Sequence, residues 1–175
     1  MLPVKTFRIP EAVITGSGSS KQVGEESKKL NVTKVLIVTD QNVIKLGIAD
    51  GIIESLKQND IAFAIYDGVS TEPTVDYVLE GLKRYRDNGC DFLLAVGGGS
   101  PIDTAKAIAV MATNAGSIED YMGLGKIPKK GRPVIAVPTT AGTGSEVTPF
   151  TIITDTRRDV KMLIGSPFLT PQVAI

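Results

Sequence analysis

The stretch Phe92-Leu93-Leu94-Ala95-Val96-Gly97-Gly98-Gly99 leaves the chain few folds to choose from. An unbroken apolar run of this length suits a strand buried on both faces, as in the middle of a parallel sheet. Gly97, Gly98 and Gly99 then let the backbone turn sharply and let a ligand approach the amides closely. The next residues read as a helix start, with Ser100 as N-cap, Pro101 as the first helical residue and Asp103 as the acid of a capping box. Ile102, Ala105, Ile108, Ala109 and Ala112 recur at helical spacing and predict one apolar face. Free amides and the positive dipole end at such a junction attract a diphosphate. A tight, well-capped turn needs no ligand, however, so these residues alone admit both readings.

The rest of the chain alternates strand and helix, the order of a parallel sheet covered on both faces. Phe7 to Ile14, with Pro10 inside it, predicts an irregular edge strand or hairpin. Ser19 to Leu30 predicts a helix with Val23 and Leu30 on its inner side. Lys34 to Val38 predicts a buried strand that ends at Asp40. A helix over about 51–59 and a strand over 62–66 come next. Glu72-Pro73-Thr74 opens a further helix with Val75, Val78, Leu79 and Leu82 on its apolar side. Pro133 to Pro138 predicts another buried strand, Thr139 to Pro149 a loop, and Phe150 to Thr154 with Lys161 to Ile164 a hairpin. The expectation is therefore an α/β fold: one domain over 1–175, a Rossmann-like parallel sheet with flanking helices plus a short β-hairpin.

Composition narrows the chemistry. Nineteen basic residues balance nineteen acidic ones, so no overall field favours nucleic acid or an anionic membrane. The chain contains no histidine, which excludes a Ser/His/Asp triad, a His-ligated metal and a His general base built from these residues. Its single cysteine, Cys90, has no internal disulfide partner and reads as a small core residue. With no transmembrane run and no secretory apolar stretch at the N-terminus, the expected setting is the cytoplasm.

In an open parallel sheet, ligands bind beyond the carboxyl ends of the strands. Asp40, the Glu72-Pro73-Thr74 turn, Gly97 to Ser100 and Thr139 to Ser145 all come after strands in that sense. Asp40 suits the hydroxyls of an adenosine ribose and would repel a 2′-phosphate, which favours NAD over NADP; it equally suits a turn or a helix cap. Thr139-Thr140-Ala141-Gly142-Thr143-Gly144-Ser145-Glu146 offers hydroxyls and glycines to a ligand rich in hydroxyl and phosphate, or forms a flexible loop. Lys161 places a cation near a ribose or substrate, or is a solvated strand lysine. Lys106, three residues after Asp103, predicts an intrahelical ion pair. Gly16-Ser17-Gly18-Ser19-Ser20-Lys21 is no Walker loop, since no glycine precedes its lysine. The turn at 97–99 also fails the GxGxxG pattern, because Ile102 takes the third-glycine position.

Gly97-Gly98-Gly99-Ser100-Pro101-Ile102-Asp103-Thr104-Ala105-Lys106, with Pro138-Thr139-Thr140-Ala141-Gly142-Thr143-Gly144-Ser145-Glu146-Val147-Thr148, resembles the iron-containing (group III) alcohol dehydrogenase family. Val38-Thr39-Asp40, Glu72-Pro73-Thr74 and Pro171-Gln172-Val173-Ala174-Ile175 fall in the family's order. Within the family, the resemblance implies a relative of the lactaldehyde reductases and 1,3-propanediol dehydrogenases. The resemblance implies the N-terminal nucleotide domain of a dehydroquinate-synthase-like fold and an NAD-dependent exchange of hydride between small alcohols and aldehydes or ketones. It implies that Asp40 selects NAD and that Gly97, Gly98, Gly99 and Ser100 hold the pyrophosphate, with Asp103 at the same site. It also implies that Thr139, Thr140, Thr143 and Ser145 line the cofactor, that Pro73 stands nearby, and that Lys161 lies by the nicotinamide ribose. Glu72 stands where many members have Asn.

Family members are much longer, and their divalent metal, iron or zinc, is held by one Asp and three His of a C-terminal helical domain. That domain is expected to be absent here, and neither Asp155 nor Asp159 matches the ligand. The 175 residues are expected to bind NAD without turning over alcohol, and to form homo-oligomers or self-associate through surface that the second domain covers in the family. Two alternatives remain: a glycerol dehydrogenase or dehydroquinate synthase relative, which shares the glycine turn, and a non-catalytic dinucleotide-binding or assembly module.

Overall fold

The computed structural model describes residues 6–175, so the first five residues of the expected domain lie outside the described residues. In chain order the elements are β1 (Ala12–Val13), α1 (Val23–Lys29), β2 (Lys34–Val38), α2 (Gln41–Lys45), α3 (Asp50–Gln58), β3 (Ala62–Tyr66), α4 (Val75–Asp87), β4 (Phe92–Gly97), α5 (Gly99–Met111), β5 (Gly123–Leu124), β6 (Val134–Pro138), β7 (Phe150–Asp155), β8 (Val160–Gly165) and β9 (Val173–Ala174). A six-stranded sheet runs in the order β1-β9-β6-β4-β2-β3, with every pairing parallel. β7 and β8 form an antiparallel hairpin, and β5 joins β8 to complete a second sheet of three strands.

The period-two alternation of the central strands divides the interior. Val35 and Ile37 of β2 and Phe92, Leu94 and Val96 of β4 face one layer with α1 and α3, through Val23, Ile52 and Leu56. Leu36 and Val38, with Leu93 and Ala95, face the other layer, where α4 and α5 pack together with Ile153, Met162 and Ile164 of the hairpin. The chain steps from β2 to β3 on one side, then returns past β2 to β4 and on to β6. Right-handed crossovers require the connecting helices to change faces when the direction reverses, and they do. Loops from the carboxyl ends of β2 and β4 consequently flank the switch point.

α5 is not the amphipathic helix its apolar spacing predicts. Every residue from Pro101 to Met111 is buried, because the six-stranded sheet covers one side while α4 and the hairpin cover the others. Its start also differs: Gly98 is the N-cap and the helix begins at Gly99, so Ser100 and Pro101 lie inside the first turn and Ser100 makes no cap. Smaller departures have the same origin in tertiary context. Ser19 to Leu30 splits into a 3-10 turn at Ser19–Gln22 and α1. Leu79, expected on the inner side of α4, is 47% exposed. α2, β5 and β9 are too short to announce themselves by periodicity. Residues 7–14 contribute only the two-residue edge strand β1, with Pro10 ahead of it.

Gln172 secures that edge. Its carbonyl accepts from the Glu11 and Ala12 amides at 2.9 and 3.3 Å, while its side-chain oxygen accepts from the Val134 amide at 2.6 Å. Cys90 is buried, as expected, and burial pushes its thiol up to about 11. No helix among the described residues is long and apolar enough to cross a membrane.

α1 meets α3 at Gly24, whose amide donates to the Ser55 hydroxyl at 3.0 Å. A β-carbon there would overlap the Ser55 carbonyl oxygen and the Asn59 side chain, whereas one at Gly51 meets nothing within 4 Å. Gly24→Ala is therefore expected to cost about 1–3 kcal/mol, read as a lowered denaturation midpoint. Gly51→Ala, on the exposed side of α3, is expected to be neutral or to gain up to about 1 kcal/mol of helix propensity.

Candidate functional site

Four loops at the carboxyl rim of the sheet enclose a cleft of about 580 Å³. Asp40 to Asn42 come from the end of β2, Asp67 to Thr71 from β3, Gly98 to Pro101 from β4, and Thr139 and Thr140 from β6. Two hydrogen bonds set the spacing of this rim. The Thr39 hydroxyl donates to the Val96 carbonyl at 2.7 Å, joining the ends of β2 and β4, and the Thr139 amide donates to the Gly97 carbonyl at 2.9 Å, joining β4 to β6.

The floor of the cleft is the glycine turn. Gly97 has φ +148, outside the range that side chains adopt comfortably, and a β-carbon on it would press Pro101. A β-carbon on Gly99 would stand 3.3 Å from the Ser145 hydroxyl and 3.5 Å from Thr143, so the loop after β6 lies directly on this turn. With glycine as N-cap, no side chain caps α5. The amides of Gly99 and Ser100 thus keep their donor capacity at the positive end of a buried helix, on the wall of the cleft.

Asp40 caps a helix and also lines the cleft. One carboxylate oxygen caps α2, accepting from the Asn42 and Val43 amides at 2.8 and 3.0 Å. The other takes no hydrogen bond among the described residues, and Asp40 lines the cleft. Asp67, Ser70 and Thr71 line the same cleft without any motif to single them out. Their one signal in the sequence is a place immediately after a strand, obscured by the more conspicuous Glu72-Pro73-Thr74.

The remaining candidates do not line the cleft. Gly97 lies beneath it, and Thr143 and Ser145 sit above Gly99. The Pro73 carbonyl accepts from the Thr154 amide at 2.7 Å, and Thr74 caps α4 through the Tyr77 amide. Lys161 pairs with Glu72 at 2.6 Å, and this bonded carboxylate raises the lysine's affinity for its proton. The capping box expected at Asp103 does not form, because the helix starts too early for it. Asp103 instead faces β7: its carboxylate accepts from the Ile152 amide at 2.9 Å and its carbonyl from the Thr151 hydroxyl at 2.9 Å. Burial raises its pKa, opposed by Lys106.

Lys106 is 1% exposed. The expected ion pair with Asp103 is long, at 3.9 Å, and the ammonium is held chiefly by the carbonyls of Thr148 at 3.0 Å and Phe150 at 2.8 Å. Burial pushes its pKa down to about 8. Metal chemistry has no comparable seat: among the described residues no three His, Cys, Asp or Glu side chains converge as ligands. Asp155 is engaged by the Arg157 amide at 2.9 Å and the Arg158 guanidinium at 2.5 Å. A divalent ion therefore does not fit the residues described.

The family model for iron-containing alcohol dehydrogenase matches residues 10–175. The chain is 46% identical over 173 residues to choline dehydrogenase of Bacillus subtilis, covering 97% of this chain and 43% of that protein. It is 38% identical over 161 residues to lactaldehyde reductase of Escherichia coli, covering 91% and 42%. The solved 1,3-propanediol oxidoreductase superposes with a TM-score of 0.97 at 36% identity, over 99% of this chain and 45% of that one. The sulfoacetaldehyde reductase of Bifidobacterium kashiwanohense, solved in complex with NAD+, superposes with a TM-score of 0.89 at 33% identity, over 99% and 46%. The chain spans less than half the length of these relatives. It belongs to the iron-containing alcohol dehydrogenase family.

Proposed function

We propose that these residues form the NAD-binding part of an alcohol dehydrogenase that interconverts small alcohols with aldehydes or ketones. One observation carries the reading: the uncapped amides of Gly99 and Ser100 open on the same cleft as the uncommitted oxygen of Asp40 and the hydroxyls of Thr139 and Thr140. The cofactor fits this set. Amides at the helix end receive the diphosphate, the glycines leave room for its close approach, and Asp40 accepts from the adenosine ribose. Thr143 and Ser145 close over the turn, and Lys161 with Pro73 lies toward the nicotinamide end. Asp103 supports the site from beneath, holding β7 against α5. Bound nicotinamide supplies hydride transfer, and the chain supplies the orientation. A cytoplasmic setting suits the reduced, buried Cys90.

Calorimetry with NAD+ tests the reading, with saturable heat expected and its absence in folded protein counting against it. NADP+ is expected to bind about tenfold or more weakly, because its 2′-phosphate meets the Asp40 carboxylate. Asp40→Asn keeps the α2 cap, since Asn caps as well as Asp, and is expected to erase most of that preference. Unchanged discrimination in this variant would remove Asp40 from the ribose site.

By themselves, the 175 residues are proposed to oxidise no alcohol, because their described side chains offer no metal seat. Metal-dependent NADH formation from 1,2-propanediol by the purified chain would overturn this. The outer face of the three-stranded sheet exposes Leu124, Phe150, Ile152 and Leu163 side by side, which favours homo-oligomers. Light scattering is expected to report concentration-dependent association, and a clean monomer at high concentration would refute it.

A further inference from the structure

Lys106 is used by no step of the cofactor reading, yet it is the largest polar side chain wholly inside the protein among the described residues. Burying an ammonium is costly unless several acceptors hold it. Here those acceptors are not scattered. The Thr148 and Phe150 carbonyls mark the last residues of the loop after β6 and the first residue of β7. Asp103, one turn earlier on α5, binds the next residues of the same strand, Thr151 and Ile152. α5 therefore grips one short segment at four positions, from the helix that begins at the glycine turn. The other end of that loop is tied to Gly97 through the Thr139 amide, and its middle rests on Gly99 through Thr143 and Ser145. The only charge in the grip that is not a carboxylate is the Lys106 ammonium, which faces Asp103 from its own helix and Glu146 from the loop.

We propose that Lys106 is a positioning residue for the dinucleotide: its buried ammonium draws the Thr148 and Phe150 carbonyls onto α5 and so holds the Thr139 to Pro149 loop over the glycine turn in its binding form. The inference rests on the cofactor reading of the cleft. Protonated Lys106 makes charge-assisted bonds to both carbonyls, which are about twice as strong as those of the neutral amine. The neutral amine also leaves the Asp103 and Glu146 carboxylates without their cation. Loss of the proton therefore loosens the loop, and because this lysine titrates well below an exposed one, the change falls in an accessible range.

NAD+ affinity of the 175-residue chain and of its Lys106→Met variant, measured by calorimetry between about pH 6.5 and about pH 9.5, reads this as the difference between the two profiles. NAD+ has no titrating group there, and the Cys90 thiol titrates higher. The α-amino group and the Tyr77 hydroxyl, whose pKa is lowered by its bonds to Ser70 and Thr71, are common to both chains. Affinity is expected to be constant at the acid end and to fall about three- to tenfold through a midpoint near the lysine's pKa of about 8. Lys106→Met is expected to bind about tenfold more weakly at neutral pH and to lose the pH dependence. A purely structural lysine would weaken binding without producing that profile in the wild-type chain. Saturable wild-type binding with a flat profile overturns the role of Lys106 and leaves the cofactor reading intact. So does a folded Lys106→Met chain that keeps the wild-type profile. If Lys106→Met does not fold, Lys106→Arg, which keeps its charge throughout this range, takes its place, with a flat profile expected and the wild-type profile overturning the role of Lys106. Absence of NAD+ binding by the folded wild-type chain at every pH overturns the cofactor reading and this inference with it.

Discussion

Complete burial of α5 is the constraint on which the rest depends. A helix enclosed by a sheet on one side and by α4 and a hairpin on the others has no solvent face from Pro101 to Met111, and it meets the cleft at its amino end. β4 delivers the chain to that end through three glycines, without a side chain to cap it or fill the space above it. The cleft is thus the place where a deeply buried dipole meets solvent, and the low dielectric behind it strengthens its pull on an anion.

The polarity of the cleft comes from the order of strands. The positive helix end stands on the β4 side of the switch point, and two carboxylates, Asp40 and Asp67, stand on the side built from β2 and β3. A ligand lying across the switch point meets attraction at one place and exclusion of extra negative charge at another. That gradient is a property of topology as much as of any residue, because parallel pairing brings the four strand ends to a common rim.

Much of this is legible in the sequence. The unbroken apolar runs at Val35 to Val38 and Phe92 to Val96 mark the central strands, and the glycine turn marks the position of the cleft. Pattern falls silent where the deciding partner lies far away in the chain. Lys106 reads as no more than the ion-pair partner of Asp103 because its acceptors are backbone carbonyls more than forty positions on, and a carbonyl has no signature in sequence. Asp103 looks like a capping acid as long as Ser100 is taken for the helix start, whereas Gly98 begins the helix without a side chain. Asp67 is inconspicuous because nothing in a five-residue strand and the turn after it distinguishes a wall from a connection. Leu79 misleads for the opposite reason: its spacing fits the buried stripe, but the packing of α4 leaves it outside.

The outer edge of the large sheet has a bearing on how the protein is made. Among the described residues, β1 pairs with no strand except β9, whose register joins Ala12 to Val173 and Val13 to Ala174 across nearly the whole sequence. A ribosome releases a chain from its amino end, so residues 11–14 wait through the synthesis of every other strand of the sheet before their partner exists. Once β6 has formed and until β9 follows, β6 is the border of the growing sheet on this side, open to any other strand that reaches it. Gln172 then closes both seams in one step, with its side chain on Val134 and its carbonyl on Glu11 and Ala12. The period in which this border of a nascent sheet needs shielding from its neighbours is thus set by the length of chain between β6 and β9, with β1 waiting for both.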